Sequence, residues 1–143
     1  MELRKIDDQI TVAPQISVED VAEIARLGFR TLVANRPDQE EPGQPAMSEI
    51  EQAAKAQGLE WIYLPVASGH ITDDDVDRFA PMIQQAEKPV LAFCRSGTRC
   101  TVLWALSAAR TTPATDIVSK ARNAGYDISG LAPRLAQQAG KQG

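Results

Sequence analysis

The 143-residue chain reads as an α/β protein: one domain over residues 1–143, a three-layer sandwich whose mainly parallel sheet of four to five strands is flanked by helices. Three observations predict this. Short apolar runs alternate with longer segments of helical period. At 43% hydrophobic residues the chain can bury one core, and it is too short for two. The run VLAF at 90–93 is almost wholly apolar, as a central parallel strand covered on both faces must be.

The elements follow in order. ITVA at 10–13 reads as a strand closed by Pro14. Ser17 is placed to cap a helix over 18–27, with Val21, Ile24, Ala25 and Leu27 on its buried side and Gly28 as its stop. Residues 29–34 make a second strand. The proline-rich stretch NRPDQEEPGQP at 35–45 excludes strand and helix interior and reads as a loop at that strand's carboxyl end. An amphipathic helix over 47–57 stops at Gly58, and 59–66 is a third strand, rich in aromatic and branched residues. After a second irregular connection, Thr72 caps a helix reaching about Ala86, whose first turn carries Asp73, Asp74 and Asp75 at the positive end of the helix dipole. Strand 90–93 is followed by a helix over 100–110 that is apolar almost all round and so the most buried. Helices over 114–124 and 129–139 close the chain.

Charge and composition narrow the function. Fifteen basic against 19 acidic residues leave a net charge of −4, so no general field draws the protein to nucleic acid or an anionic membrane. An anion must be held by a local site. The opening MELRKIDDQI lacks the apolar stretch of a signal peptide and no 18-residue apolar run occurs, so a soluble, cytoplasmic protein is expected. One histidine and two clustered cysteines supply too few ligands for a zinc site without distant carboxylates; no metal or cofactor is expected.

The chemistry concentrates in FCRSGTRC at 93–100. A buried strand that turns through Gly97 into a buried helix leaves backbone N–H groups without helical partners, and such a turn binds anions. Cys94, at the strand's end, is the candidate nucleophile; the helix dipole and Arg95 or Arg99 favour its thiolate. Arg99 offers a planar fork to two oxygens of a tetrahedral anion. Backbone groups of Arg95, Ser96, Gly97 and Thr98 form the cradle, with Arg36 as a further anion contact. Cys100 is a packing residue first, with a resolving or redox role as the alternative.

These motifs resemble the beta-lactamase hydrolase-like protein phosphatase-like domain family, bacterial relatives of the dual-specificity cysteine phosphatases. The likeness covers nearly the whole chain, through ITVAPQIS, NRPDQEE, YLPV and above all PVLAFCRSGTRC followed by LWAL. It implies a cysteine phosphatase-like fold with the nucleophile at the carboxyl end of a central strand.

Two departures bear on the reaction. The dual-specificity pattern has five residues between cysteine and arginine; here Cys94 and Arg99 are separated by four, and Cys100 occupies the arginine's place. The hexapeptide CRSGTR resembles instead the loop of rhodaneses, whose smaller cradle holds a persulfide. Related phosphatases also supply an acid from the loop after the strand matching YLPV, where this chain has Ala67 and Ser68. Asp38, His70 or Asp73 would have to serve. On these grounds the expectation is a sulfurtransferase, moving sulfane sulfur from thiosulfate or a small persulfide through a Cys94 persulfide to a thiol such as glutathione, and linked functionally to persulfide-oxidising enzymes. The alternatives are a phosphatase working through a Cys94 thiophosphate and a non-catalytic redox or anion-binding module.

Overall fold

The computed structural model of the chain describes residues 1–141. Five strands form one sheet: β1 (Arg4–Lys5), β2 (Ile10–Ala13), β3 (Thr31–Ala34), β4 (Glu60–Tyr63) and β5 (Val90–Phe93). Their spatial order is β1-β2-β5-β3-β4, with β1 antiparallel to β2 and every other pair parallel. β5, the last strand in sequence, is therefore the innermost, paired on one side with β2 and on the other with β3. All four of its residues are buried, which is what its unbroken apolar run requires.

Side-chain alternation along the central strands divides the core into two layers. Ile10, Val12, Val33, Val90 and Ala92 face one side, where α3 (Asp73–Gln85), α4 (Thr98–Ala108), α5 (Ala114–Asn123) and α6 (Ala132–Ala139) pack. Leu32, Ala34, Leu91 and Phe93 face the other, against α1 (Asp20–Arg26) and α2 (Met47–Ala56). A period of two on a doubly covered sheet produces this three-layer arrangement. Among the described residues no helix is long and apolar enough to cross a membrane.

The structure moves several boundaries. Ser17 does cap, but one turn early: its hydroxyl accepts from the Asp20 N–H at 3.2 Å while the Asp20 carboxylate accepts from the Ser17 N–H at 2.9 Å, and α1 begins only at Asp20. The shorter helix leaves Leu27 half exposed rather than buried. β4 is four residues long, with Pro65, which has no N–H to give, two residues beyond its end; it is an edge strand, and none of its four residues is fully buried. At Thr72 a complete capping box with Asp75 starts α3. The expected helix over 129–139 opens as a 3-10 turn at Ser129–Leu131 before α6. β1 has no counterpart in the sequence reading, because two charged residues carry no strand pattern.

Candidate active site

β5 delivers Cys94 to the carboxyl edge of the sheet, where its N–H donates to the Ala13 carbonyl at 3.3 Å. The chain then turns through Gly97, at φ +90°, and enters α4 at Thr98. Three successive carbonyls of this turn are held outward. Arg95 O accepts from the Gln15 N–H at 3.2 Å, Ser96 O from the Tyr126 hydroxyl at 2.9 Å, and Gly97 O from the Thr101 N–H and hydroxyl at 3.0 and 2.8 Å. Because a peptide's C=O and N–H point in opposite directions, holding the Arg95 and Ser96 carbonyls away turns the Ser96 and Gly97 amides toward Cys94, while the Thr98 N–H donates to the Ser96 hydroxyl at 3.4 Å. The Gly97 N–H donates to the Cys94 sulfur at 3.1 Å.

Only glycine fits at position 97. Its φ lies in the left-handed region, and a Cβ there would run into the Tyr126 hydroxyl. Tyr126 is in turn held by Arg4, whose guanidinium lies 5.6 Å from the ring centroid and donates to the Ala124 carbonyl at 3.2 Å.

The buried Cys94 thiol is brought down from its ordinary 9.0 to about 6. The Cys100 thiol, donating to the sulfur, is the main cause; burial opposes it, and the N–H groups of Cys100, Ser96 and Gly97 add to it. Cys100 is driven the other way, well above its ordinary value, by burial first and then by the neighbouring Cys94. One cysteine is thus a thiolate at neutral pH and the other a protonated donor beside it. The packing reading of Cys100 captures its burial but misses this contact.

Arg99 is buried at the start of α4. Its two terminal nitrogens meet both oxygens of Glu40 at 2.9 and 2.8 Å, and one of them also donates to Val66 O at 3.0 Å. Arg36, expected to contact the anion, lies elsewhere. It is 1% exposed and its guanidinium is spent on Glu40 at 2.7 Å, Glu41 at 2.7 Å and Gln15 at 3.0 Å. Arg36 positions Glu40, which positions Arg99. Held between two guanidiniums, the Glu40 carboxyl drops from 4.5 to about 2, with Arg99 as the largest cause and burial opposing it.

Arg95, Ser96, Thr98 and Arg99 line a cleft of about 590 Å³. Its other walls are Ser68, Gly69 and Ile71 from the connection after β4, Val102 on α4, and Leu131 and Arg134 near the start of α6. Arg95 is exposed, with Glu41 3.7 Å from its guanidinium. The three candidate acids are placed outside this lining. Asp38 accepts the Met47 N–H at 3.2 Å and so caps α2. His70 is exposed in its loop. Asp73 accepts from Arg134 and Gln138 at 3.2 and 3.3 Å. Glu40, Gln15, Tyr126 and Arg134 escaped the sequence reading. Only Glu40 left a trace there, four residues after Arg36 in an acidic loop.

A family model described as beta-lactamase hydrolase-like protein, phosphatase-like domain, matches residues 2–111. The chain belongs to this family. The phosphatase-like domain is 32% identical over 140 residues to a beta-lactamase hydrolase-like protein of Agrobacterium fabrum, covering 96% of this chain but 32% of that protein. It spans about a third or less of the curated relatives it matches. A crystal structure of a candidate phosphatase from Neisseria meningitidis is 38% identical, with a TM-score of 0.84 over 96% of this chain and 99% of that one. TpbA of P. aeruginosa, solved with phosphotyrosine in a cysteine-to-serine variant, is 17% identical at TM-score 0.63, covering 97% and 91% of the two chains, and shares the fold.

These findings overturn the sulfur-transfer expectation. The phosphatase-like match runs through the chain from its first strand past α4, whereas the rhodanese likeness is confined to six residues. The physical reason for the error is that an amide-lined turn at a helix N-terminus attracts any small anion. A one-residue difference in spacing does not by itself separate sulfur from phosphorus.

Proposed function

We propose that the phosphatase-like domain is a cysteine-dependent phosphatase. The observation that carries this is the Cys94 sulfur, which accepts from the Gly97 N–H at 3.1 Å in a turn whose residues border a cleft with three arginines, a setting that lowers its pKa to about 6. A thiolate at the end of a central strand, facing the start of a helix, is a nucleophile placed where an α/β sheet binds its ligand. The phosphoryl group seats in the turn, its oxygens meeting loop amides and Arg99. Cys94 attacks phosphorus; the S–P bond forms as the P–O bond to the leaving group breaks. Water then attacks the thiophosphate, releasing inorganic phosphate and restoring the thiolate. Electrostatic stabilisation by preset amides and a fixed guanidinium is the main catalytic contribution expected of such a loop. The phosphatase-like family and the Neisseria relative support phosphorus over sulfur.

The test is hydrolysis of 4-nitrophenyl phosphate by the wild type and by Cys94→Ser, with mass spectrometry of an acid-quenched reaction. A phosphoryl adduct on Cys94 and its loss together with turnover in Cys94→Ser are expected. Equal turnover in the variant would refute the reading.

A further inference from the structure

In the cleft beside Cys94, no side chain among the described lining residues could protonate a leaving group. Among its described lining residues are three guanidiniums, three hydroxyls, a glycine and three aliphatic side chains, and no carboxylic acid or imidazole. Three carboxylates touch the lining, Glu40 on Arg99, Glu41 on Arg95 and Asp73 on Arg134, and arginine partners hold all three below the ordinary carboxylate range, so none carries a proton at neutral pH. Asp73 is tied to Arg134 and Gln138, and Asp38 to the N-terminus of α2. The connection after β4, which reaches the cleft through Ser68, Gly69 and Ile71, brings small and apolar groups there instead.

A phosphomonoester of an ordinary alcohol cannot be cleaved well under these conditions. Its alkoxide is strongly basic and must take up a proton as the P–O bond breaks, an assistance for which acid catalysis supplies about 10²–10⁴-fold. Leaving groups that are already weak bases need none. Resting on the phosphatase reading above, we infer that this site is selective for phosphoryl donors whose leaving oxygen departs as a weakly basic anion: phosphoanhydrides and phosphates of acidic phenols, rather than alkyl phosphomonoesters. The P–O electron pair leaves with the oxygen, the S–P bond forms on Cys94, and no protein proton moves in that step. Arg95 and Arg134 border the same cleft, so their charge favours a leaving group that carries anionic oxygens of its own. Ile71, Val102 and Leu131 give an aryl leaving group an apolar wall.

The experiment is a leaving-group series read as kcat/KM, which reports the step that forms the thiophosphate. Aryl phosphates from 4-nitrophenyl to phenyl phosphate, inorganic pyrophosphate and glycerol phosphate are compared with the whole chain. The expected result is a fall of at least about 10²-fold from the nitrophenyl to the phenyl ester, and a further fall to the alkyl ester, the size an absent acid implies. Pyrophosphate turnover identifies anhydrides as substrates; activity on acidic aryl esters alone confines the class to them. His70→Ala and Asp38→Asn should leave kcat/KM and its alkaline limb unchanged. A profile level to within about tenfold across the series, or loss of the alkaline limb in either variant, would overturn the inference, since both are marks of a working general acid. Such an outcome leaves Cys94-dependent hydrolysis intact; loss of all phosphate hydrolysis would instead refute the underlying phosphatase reading.

Discussion

Glu40 holds Arg99 through two parallel contacts, at 2.9 and 2.8 Å, and shares one of those carboxylate oxygens with Arg36 at 2.7 Å. One acidic side chain from the loop after β3 thereby bridges two buried guanidiniums, with Glu41 supplying the second negative charge on Arg36, and sets the direction of the one that borders the cleft. Glu40→Gln keeps the size but loses the charge, so it should cost about 2 kcal/mol in urea denaturation, the scale of hydrogen bonds to charged groups. It should also lower kcat/KM toward aryl phosphates, because Arg99 would no longer be fixed.

The same pair gives a pH signature. Folding lowers the Glu40 carboxyl from 4.5 to about 2, so its contribution to stability is complete above the unfolded value and is lost as pH falls through the folded one. Denaturation midpoints of wild type and Glu40→Gln should therefore differ most above about pH 5 and draw together as the pH is taken down to about 2.

Cys100 should set the acidity of Cys94. Removing the donor in Cys100→Ala should raise the Cys94 pKa from about 6, slowing alkylation by iodoacetamide near pH 6 and leaving it little changed near pH 9. Cys100→Ser, which keeps a donor, should shift the profile less. An unmoved midpoint in Cys100→Ala would mean that the loop amides alone hold the thiolate.

Gly97→Ala combines two penalties. The left-handed backbone costs roughly 1–2 kcal/mol with a Cβ present, and that Cβ meets the Tyr126 hydroxyl. Thermal unfolding should fall and phosphatase turnover should be nearly abolished, because the turn that aims the amides at Cys94 must open. Adding Tyr126→Phe removes the hydroxyl and should recover part of the stability lost, but not the backbone part.

Thr72→Ala removes the hydroxyl that accepts from the Asp75 N–H and breaks the capping box of α3. A stability loss of about 1 kcal/mol is expected by denaturant titration. Cys94 alkylation should be little changed, since the Thr72 hydroxyl bonds within the first turn of α3 and not to the loop around Cys94.

Local pattern carried most of the architecture. Four of the five strands lie within the segments that periodicity marks, and VLAF at 90–93 names the central strand because burial on both faces leaves no polar position. β1 was illegible, since Arg4 and Lys5 form a strand only by pairing with Val12 and Thr11. In the site, Cys94, Gly97 and Arg99 could be picked out because a strand, a turn glycine and a helix occur within one short stretch.

Partnerships across the chain could not be picked out in this way. Glu40 and Arg99 are 59 residues apart, and Tyr126 and Ser96 are 30 apart. Arg36 illustrates the difference: its charge is plain in NRPDQEE, but whether it faces an anion or two glutamates depends on how the loop after β3 folds over the sheet's edge. The sequence by itself determined four of the five strands and the six helices in outline, that Cys94 ends the central strand, and that an anion-binding turn follows it, because hydrophobic period and turn chemistry act over neighbouring residues. Only the tertiary structure decided which side chains border that turn, that Arg36 and Arg99 share Glu40 while only Arg99 borders the cleft, and that the described cleft lining holds no carboxylic acid or imidazole. Those outcomes depend on distances between distant parts of the chain, set when the two helical layers close on the sheet.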